Sequence, residues 1–204
     1  VALDVDNVGV GYFGEASMIW LALGLLAQAQ DDLCPLREGM IFTYEVREKA
    51  GTARDQSSAV RAPHTIAGSE WFEVSQFLFY EKAYLRVSER GLEFRAPEYG
   101  DRSLLLFRTG AKLGEDWTSE LTGEETMRFR LEAREDVEVP AGTYRAYRVS
   151  FVVAGKKRTS TPKEAEGALW IAPGTGIVKG WINRHAECDA SPTRSFALKK
   201  IERR

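Results

Sequence analysis

The amino-acid sequence predicts an all-β, mainly antiparallel fold: a curved sheet, open barrel or sandwich of about ten strands, preceded by a signal-peptide helix. Three observations carry this. Several segments alternate apolar and polar side chains with period two, as strands with one covered face do. Gly- and Pro-containing turns separate them at short intervals. After residue 35 no segment keeps an apolar stripe at helical spacing over about 11 residues.

The elements follow in order. Met40, Phe42, Tyr44 and Val46 alternate with Ile41, Thr43, Glu45 and Arg47, which predicts the first strand. Residues 49–57 read as a polar loop, and Ser58–Ile66 as a weaker strand interrupted by Pro63, which cannot donate to a ladder. Trp71–Tyr80 carries large side chains on both faces and reads as one strand covered on both sides. Ala83–Ser88 and Leu92–Ala96 flank Glu89-Arg90-Gly91 and predict a hairpin, with Gly91 where a positive φ is cheap. Arg102–Phe107 is a further strand, and Leu113–Trp117 a turn that delivers Trp117 to the core.

The cleanest one-faced strand sets Met127, Phe129, Leu131 and Ala133 against Arg128, Arg130, Glu132 and Arg134. Val137–Val139 leads into a turn at Pro140–Thr143, and Tyr147, Val149, Phe151 and Val153 form the inward face of the next strand. Residues 154–167 are a polar, basic loop. Ala168–Ala172 and Ile177–Ile182 are joined by Pro173-Gly174-Thr175-Gly176, a hairpin signal. Residues 183–193 read as a loop, and Arg194–Glu202 closes the sheet with Phe196, Leu198 and Ile201. A short helix has room only in 97–124 or 158–167.

The first 29 residues are of another kind. Met18–Ala29 (MIWLALGLLAQA) is shorter than the roughly 20 apolar residues of a membrane span. It has the length of a signal-peptide core, and Ala27-Gln28-Ala29 is an A-x-A cleavage pattern. Residues 1–17 hold three acids and no Lys or Arg, so Met18 is the expected start of translation. The organisation expected is residues 1–29 as extension and signal peptide, and 30–204 as one β-rich domain. Such a protein is periplasmic or secreted, and peripheral to the membrane at most. Cys34 follows Asp31-Asp32-Leu33, which does not fit a lipid-attachment motif. Cleavage after Ala29 removes three acids and no base, moving the net charge from −2 to +1. That near-neutral balance excludes nucleic acid as the main partner.

The catalytic inventory is thin. His64 and His185 are the only histidines, and there is no G-x-S-x-G, H-E-x-x-H, phosphate-binding loop or dinucleotide fingerprint. No catalytic residue, metal or cofactor is assigned. The carboxylate pairs Glu124-Glu125 and Glu135-Asp136 are solvated charge, because adjacent strand residues point to opposite faces. In an exported chain, Cys34 and Cys188 are expected to form a disulfide. Separately buried thiols, or a tetrahedral metal site with His64 and His185, are the alternatives.

Three motifs add a resemblance: Pro35-Leu36-Arg37-Glu38-Gly39 before Phe42 and Tyr44, Val139-Pro140-Ala141-Gly142-Thr143-Tyr144, and Leu169-Trp170-Ile171-Ala172-Pro173-Gly174-Thr175-Gly176-Ile177-Val178-Lys179. In this order they resemble a group of uncharacterised exported bacterial proteins classed as domains of unknown function, with Phe42 where that group usually has Trp. The resemblance implies a curved antiparallel sheet, similar in kind to the half-barrels of periplasmic lipoprotein carriers. The motifs read physically as structure: Pro and Gly set turns, Trp170 and Trp181 plug a core, and Lys179 is a solvated edge residue.

Function follows from the surplus of aromatics. A concave sheet could hold an apolar ligand such as an acyl chain, with Trp71, Phe77, Phe79, Tyr80, Leu104 and Leu106 as the binding residues and Phe72 beside them. The second expectation is an interaction module of the cell envelope, docking a protein partner or anionic envelope polymers through strand edges and the Lys156-Lys157-Arg158 loop. A hydrolase is the third, and it lacks a recognisable catalytic set.

Overall fold

The computed structural model describes residues 33–49, 51–78, 80–121, 125–155, 165–184 and 193–204. The expected leader, Phe79, Lys156–Arg158, His185 and Cys188 lie outside the described residues.

The strands are β1 (Met40–Glu48), β2 (Arg54–Ile66), β3 (Ser69–Phe77), β4 (Tyr80–Ser88), β5 (Gly91–Arg95), β6 (Leu104–Arg108), β7 (Asp116–Glu120), β8 (Glu125–Val139), β9 (Gly142–Gly155), β10 (Ala165–Ala172), β11 (Gly176–Arg184) and β12 (Arg194–Arg203). They form one antiparallel sheet in the order β6-β5-β4-β3-β2-β1-β12-β11-β10-β9-β8-β7. Each strand pairs with its sequence neighbour except at two places. β1 pairs with β12, which joins the two ends of the chain. β6 and β7, the sheet's two edges, curl round to meet each other, making a nearly closed barrel.

That closure is unlike the rest of the wall. Trp117 Nε1 donates to Leu105 O (2.7 Å) and Leu105 N donates to Ser119 Oγ (3.1 Å). Side chains, not a ladder, cover these edge groups, which would otherwise invite another strand. Bulges at Thr43/Tyr44, Val60/Pro63, Leu92/Glu93, Leu131/Ala133 and Trp170/Ile171 supply the bending that closure needs. Pro63 sits at one of them, where its missing N–H costs no ladder bond.

The antiparallel order sorts the connections to two ends. One end carries the links β1–β2, β3–β4, β7–β8, β9–β10 and β11–β12. The other carries β2–β3, β4–β5, β8–β9 and β10–β11 and is plugged. The β8–β9 hairpin outruns β10 there, and its tip folds across to β12, where Ala141 N donates to Leu198 O (3.0 Å). Leu33 and Cys34 are buried at the same end.

The inward faces predicted for β1, β8 and β9 are the core: Phe42, Tyr44, Val46, Phe129, Leu131, Val149 and Phe151 are all buried. Four expectations are corrected. There are twelve described strands, because DWTSE (Asp116–Glu120) is β7 and not a turn. Trp71–Tyr80 is not one strand: β3 ends at Phe77 and Tyr80 opens β4, with the reversal running through Gln76 (φ 49°) and Leu78 (φ 53°). Gln56 Nε2 and Ser58 Oγ both donate to Gln76 O and hold that turn. Trp170 and Trp181 are half-buried, not core plugs. Trp170 lies on the outer face, where its Nε1 donates to Glu135 Oε1 (2.8 Å) and Lys179 Nζ sits 5.2 Å from its ring centroid. Lys179 therefore covers an aromatic face. The only helical turn among the described residues is a 3-10 turn at Pro97–Tyr99.

Candidate functional site

The half of the barrel nearer the β3–β4 turn holds an apolar cavity of about 60 Å³. The β3–β4 turn contributes Leu78 and Tyr80, β5 contributes Phe94, and β6 contributes Leu104 and Leu106. The opposite wall is Met127 and Phe129 of β8, Phe151 of β9, Leu169 of β10 and Ile182 of β11. Register explains the meeting: Phe129 is opposite Phe151, and Leu104 and Leu106, two apart on β6, share one face. The polar group at this wall is the Tyr80 hydroxyl, hydrogen-bonded to the Tyr99 hydroxyl. The Tyr80 ring packs on Phe94 with centroids 5.0 Å apart.

Of the binding residues expected from sequence, Tyr80, Leu104 and Leu106 meet here. Phe77 does not: it lines a separate void of about 20 Å³ toward the plugged end, with Cys34, Tyr44 and Leu85. Trp71 is on the outer face, with Arg86 Cζ 4.6 Å and Arg95 Cζ 5.5 Å from its ring centroid. Trp71 pairs with His64 on β2, and the bulge at Val60/Pro63 sets which side of the sheet each strand half presents. Phe79 lies outside the described residues. Phe94, Phe129, Phe151, Leu169 and Ile182 were readable as apolar strand positions but not as neighbours.

Below the outer face of Trp71 lies a buried carboxylate. Glu93 is 1 % exposed. Arg86 Nη2 donates to both its oxygens (3.0 and 3.1 Å), and Ser88 Oγ donates to Oε1 (2.6 Å). This is a structural ion pair whose carboxylate is fully engaged; the guanidinium also covers an indole, and its Nε is buried without a hydrogen-bond partner.

Cys34 sits against the β10–β11 turn. A Cβ added at Gly176 (φ +91°) would lie 2.6 Å from the Cys34 Sγ. Burial pushes the thiol up from 9.0 to about 12. Tyr44, whose hydroxyl donates to Ile177 O (2.9 Å), is pushed up as well, by burial first and by Cys34 second. Among the described residues Cys34 is a buried free thiol. Its expected partner, Cys188, lies outside the described residues.

Because the folded thiol stays protonated to a higher pH than an unfolded one, Cys34 supports the fold fully below pH 9, and that support declines as pH rises from 9 toward 12. Urea midpoints are expected to fall over that window, and less steeply in Cys34→Ala. Native protein is expected to resist alkylation at Cys34 at pH 8, whereas denatured, unreduced protein is alkylated at both cysteines. An unreactive pair after denaturation would restore the bridge.

Among the described residues no three His, Cys, Asp or Glu side chains converge as metal ligands. His64 is exposed, with Nε2 3.5 Å from Glu73 Oε2. Glu135 and Asp136 pair with Arg148 and Arg145, as solvated strand charges do.

Known proteins match this architecture. The family described as DUF3108-like matches residues 122–180, which contain the second and third sequence motifs. A Bacteroides fragilis structure, provisionally described as an exported protein with a YmcC-like fold, superposes with a TM-score of 0.53 at 12 % identity. The alignment covers 84 % of this chain and 99 % of that one. A Parabacteroides distasonis structure, provisionally described as a lipoprotein, aligns with the same coverage and identity at a TM-score of 0.44. No curated protein matches the chain. At such identity the shared property is the fold.

Proposed function

We propose that this protein is a non-enzymatic envelope protein, periplasmic or secreted, that holds the end of an alkyl chain in the barrel cavity. The observation that carries this reading is the cavity wall: ten side chains from seven strands and one turn, all apolar but for one hydroxyl at Tyr80. Burying apolar ligand surface there gains about 25 cal/mol per Å². The volume sets the scale. A cavity of about 150 Å³ takes a benzene ring, so about 60 Å³ takes a few methylene groups and leaves the remainder of the ligand outside. Nothing reactive faces the ligand, since the buried Cys34 thiol is at the plugged end and protonated. The export pattern at Met18–Ala29 supports the location.

The test is a calorimetric titration with 1-dodecanol. Wild-type protein is expected to bind it, and Leu104→Trp, which fills the cavity, is expected to bind at least about tenfold more weakly, a difference of about 1.4 kcal/mol. Equal affinities, or no binding by the wild type, would refute the reading.

A further inference from the structure

A second concavity lies on the outside of the β6–β7 closure. It has a volume of about 350 Å³ and is lined by Arg90, Leu105, Arg108, Thr109, Trp117 and Thr118, within the size range of small-ligand pockets. Its composition differs from the barrel cavity. Its lining is two apolar residues, Leu105 and Trp117, with two arginines and two threonines.

The charge balance is positive. Arg108 Nη1 pairs with Glu115 Oε1 at 2.9 Å. Glu115 also accepts the Lys112 N–H through Oε2, so its carboxylate is already engaged. The Arg90 and Arg128 guanidinium groups make no ion pair among the described residues. Arg128 stands directly opposite Thr118 in the β7–β8 register, and such partners share a face of the sheet. Asp116 and Glu120 share that face of β7 and are paired with Arg130 and Arg102, so Arg90 and Arg128 are left beside the groove without a described carboxylate partner.

The groove exists because the barrel does not finish its ladder here. A regular strand pair would bring β6 and β7 within about 4.8 Å and leave no room. Instead Trp117 and Ser119 reach across to Leu105. We propose that this groove is an oxyanion site, in which Arg90 and Arg108 grip the phosphate or carboxylate of an anionic ligand. Guanidinium forks hold such groups through paired charge-assisted hydrogen bonds.

The oxyanion has two sources: a free anion, or the head of an amphiphile whose tail enters the barrel. The two cavities are separated by one layer of side chains at this point. Trp117 stacks on Phe129, 5.7 Å between centroids, and Phe129 lines the barrel cavity. Leu105 stands between Leu104 and Leu106, which line it too.

Calorimetry in about 50 mM salt, where a Debye length of roughly 14 Å leaves exposed charges effective, tests this with three probes: inorganic phosphate, dodecyl phosphate and 1-dodecanol. Wild-type protein is compared with Arg90→Gln/Arg108→Gln, whose fold is checked by circular dichroism. The wild type is expected to bind inorganic phosphate with a Kd on the order of 1 mM, and the double variant at least about tenfold more weakly. An amphiphile source predicts dodecyl phosphate at least about tenfold tighter than either other probe in the wild type, with its advantage over dodecanol lost in the variant. A free anion predicts dodecyl phosphate no tighter than the tighter of the other two probes. Identical phosphate affinities in the two proteins, or no phosphate binding by the wild type, overturn the site. The dodecanol arm reports the barrel cavity separately, so failure of one reading leaves the other standing.

Discussion

Phe129→Ala is expected to destabilise the barrel by about 3–5 kcal/mol, read as a drop in the urea midpoint at unchanged slope. Phe129 is wholly buried and joins two ring contacts. Its ring stacks on Trp117 at an interplanar angle of 11° and packs tilted on Phe151 with centroids 6.2 Å apart. Removing it takes away the transfer energy of an aromatic ring and leaves a void, because β8 and β9 are held at fixed spacing by their ladder and cannot close over it. The same substitution joins that void to the barrel cavity. The variant is therefore expected to bind 1-dodecanol more tightly than wild type and to recover part of its lost stability when ligand is added. A loss below about 1 kcal/mol would mean that Phe129 does not fill the interior as described.

Glu93→Ala is expected to cost a similar amount, about 3–5 kcal/mol. The loss comes from what remains. Arg86 would keep its charge with its carboxylate partner gone, and its side chain is 23 % exposed against 1 % for Glu93. The Ser88 hydroxyl loses its acceptor, and the guanidinium over Trp71 loses the carboxylate that fixes it. Glu93→Gln keeps the shape and one acceptor and is expected to lose less than the alanine variant. The double substitution Glu93→Ala/Arg86→Met removes both charges and is expected to recover part of the loss. Chemical unfolding of the wild type, Glu93→Ala, Arg86→Met and the double variant measures the coupling, and additive losses would show that the pair is not a unit.

The strands were legible where one face was apolar and the other charged. Met40–Val46 and Met127–Arg134 declare themselves through period two, because each borders both the core and solvent. The run from Trp71 to Tyr80 misled because its reversal uses Gln76 and Leu78 at positive φ, where a local reading looks for Gly, Asn or Asp. The tertiary hydrogen bonds from Gln56 and Ser58 support that turn, and they come from another strand. Its aromatics consequently scatter: Trp71 goes outside, Phe77 toward the plug and Tyr80 to the cavity.

The candidate site was half legible for a related reason. Leu104, Leu106 and Tyr80 stood out by composition. Their partners Phe129, Phe151 and Ile182 were visible as strand positions, yet they come together only because β1 pairs with β12 and bends the sheet into a barrel. No local pattern encodes a pairing between the first and last strands. The seam was hidden more completely, since Trp117 read as a core residue following a turn. It is a core residue, but its indole N–H also closes the wall.

The most direct test of the account is a crystal structure of the protein with 12-bromo-1-dodecanol, phased to locate bromine by anomalous scattering. The account predicts one bromine peak inside the barrel, between Leu104, Phe129 and Ile182. A peak confined to the outer surface, or one beside Cys34 at the plugged end, would contradict it.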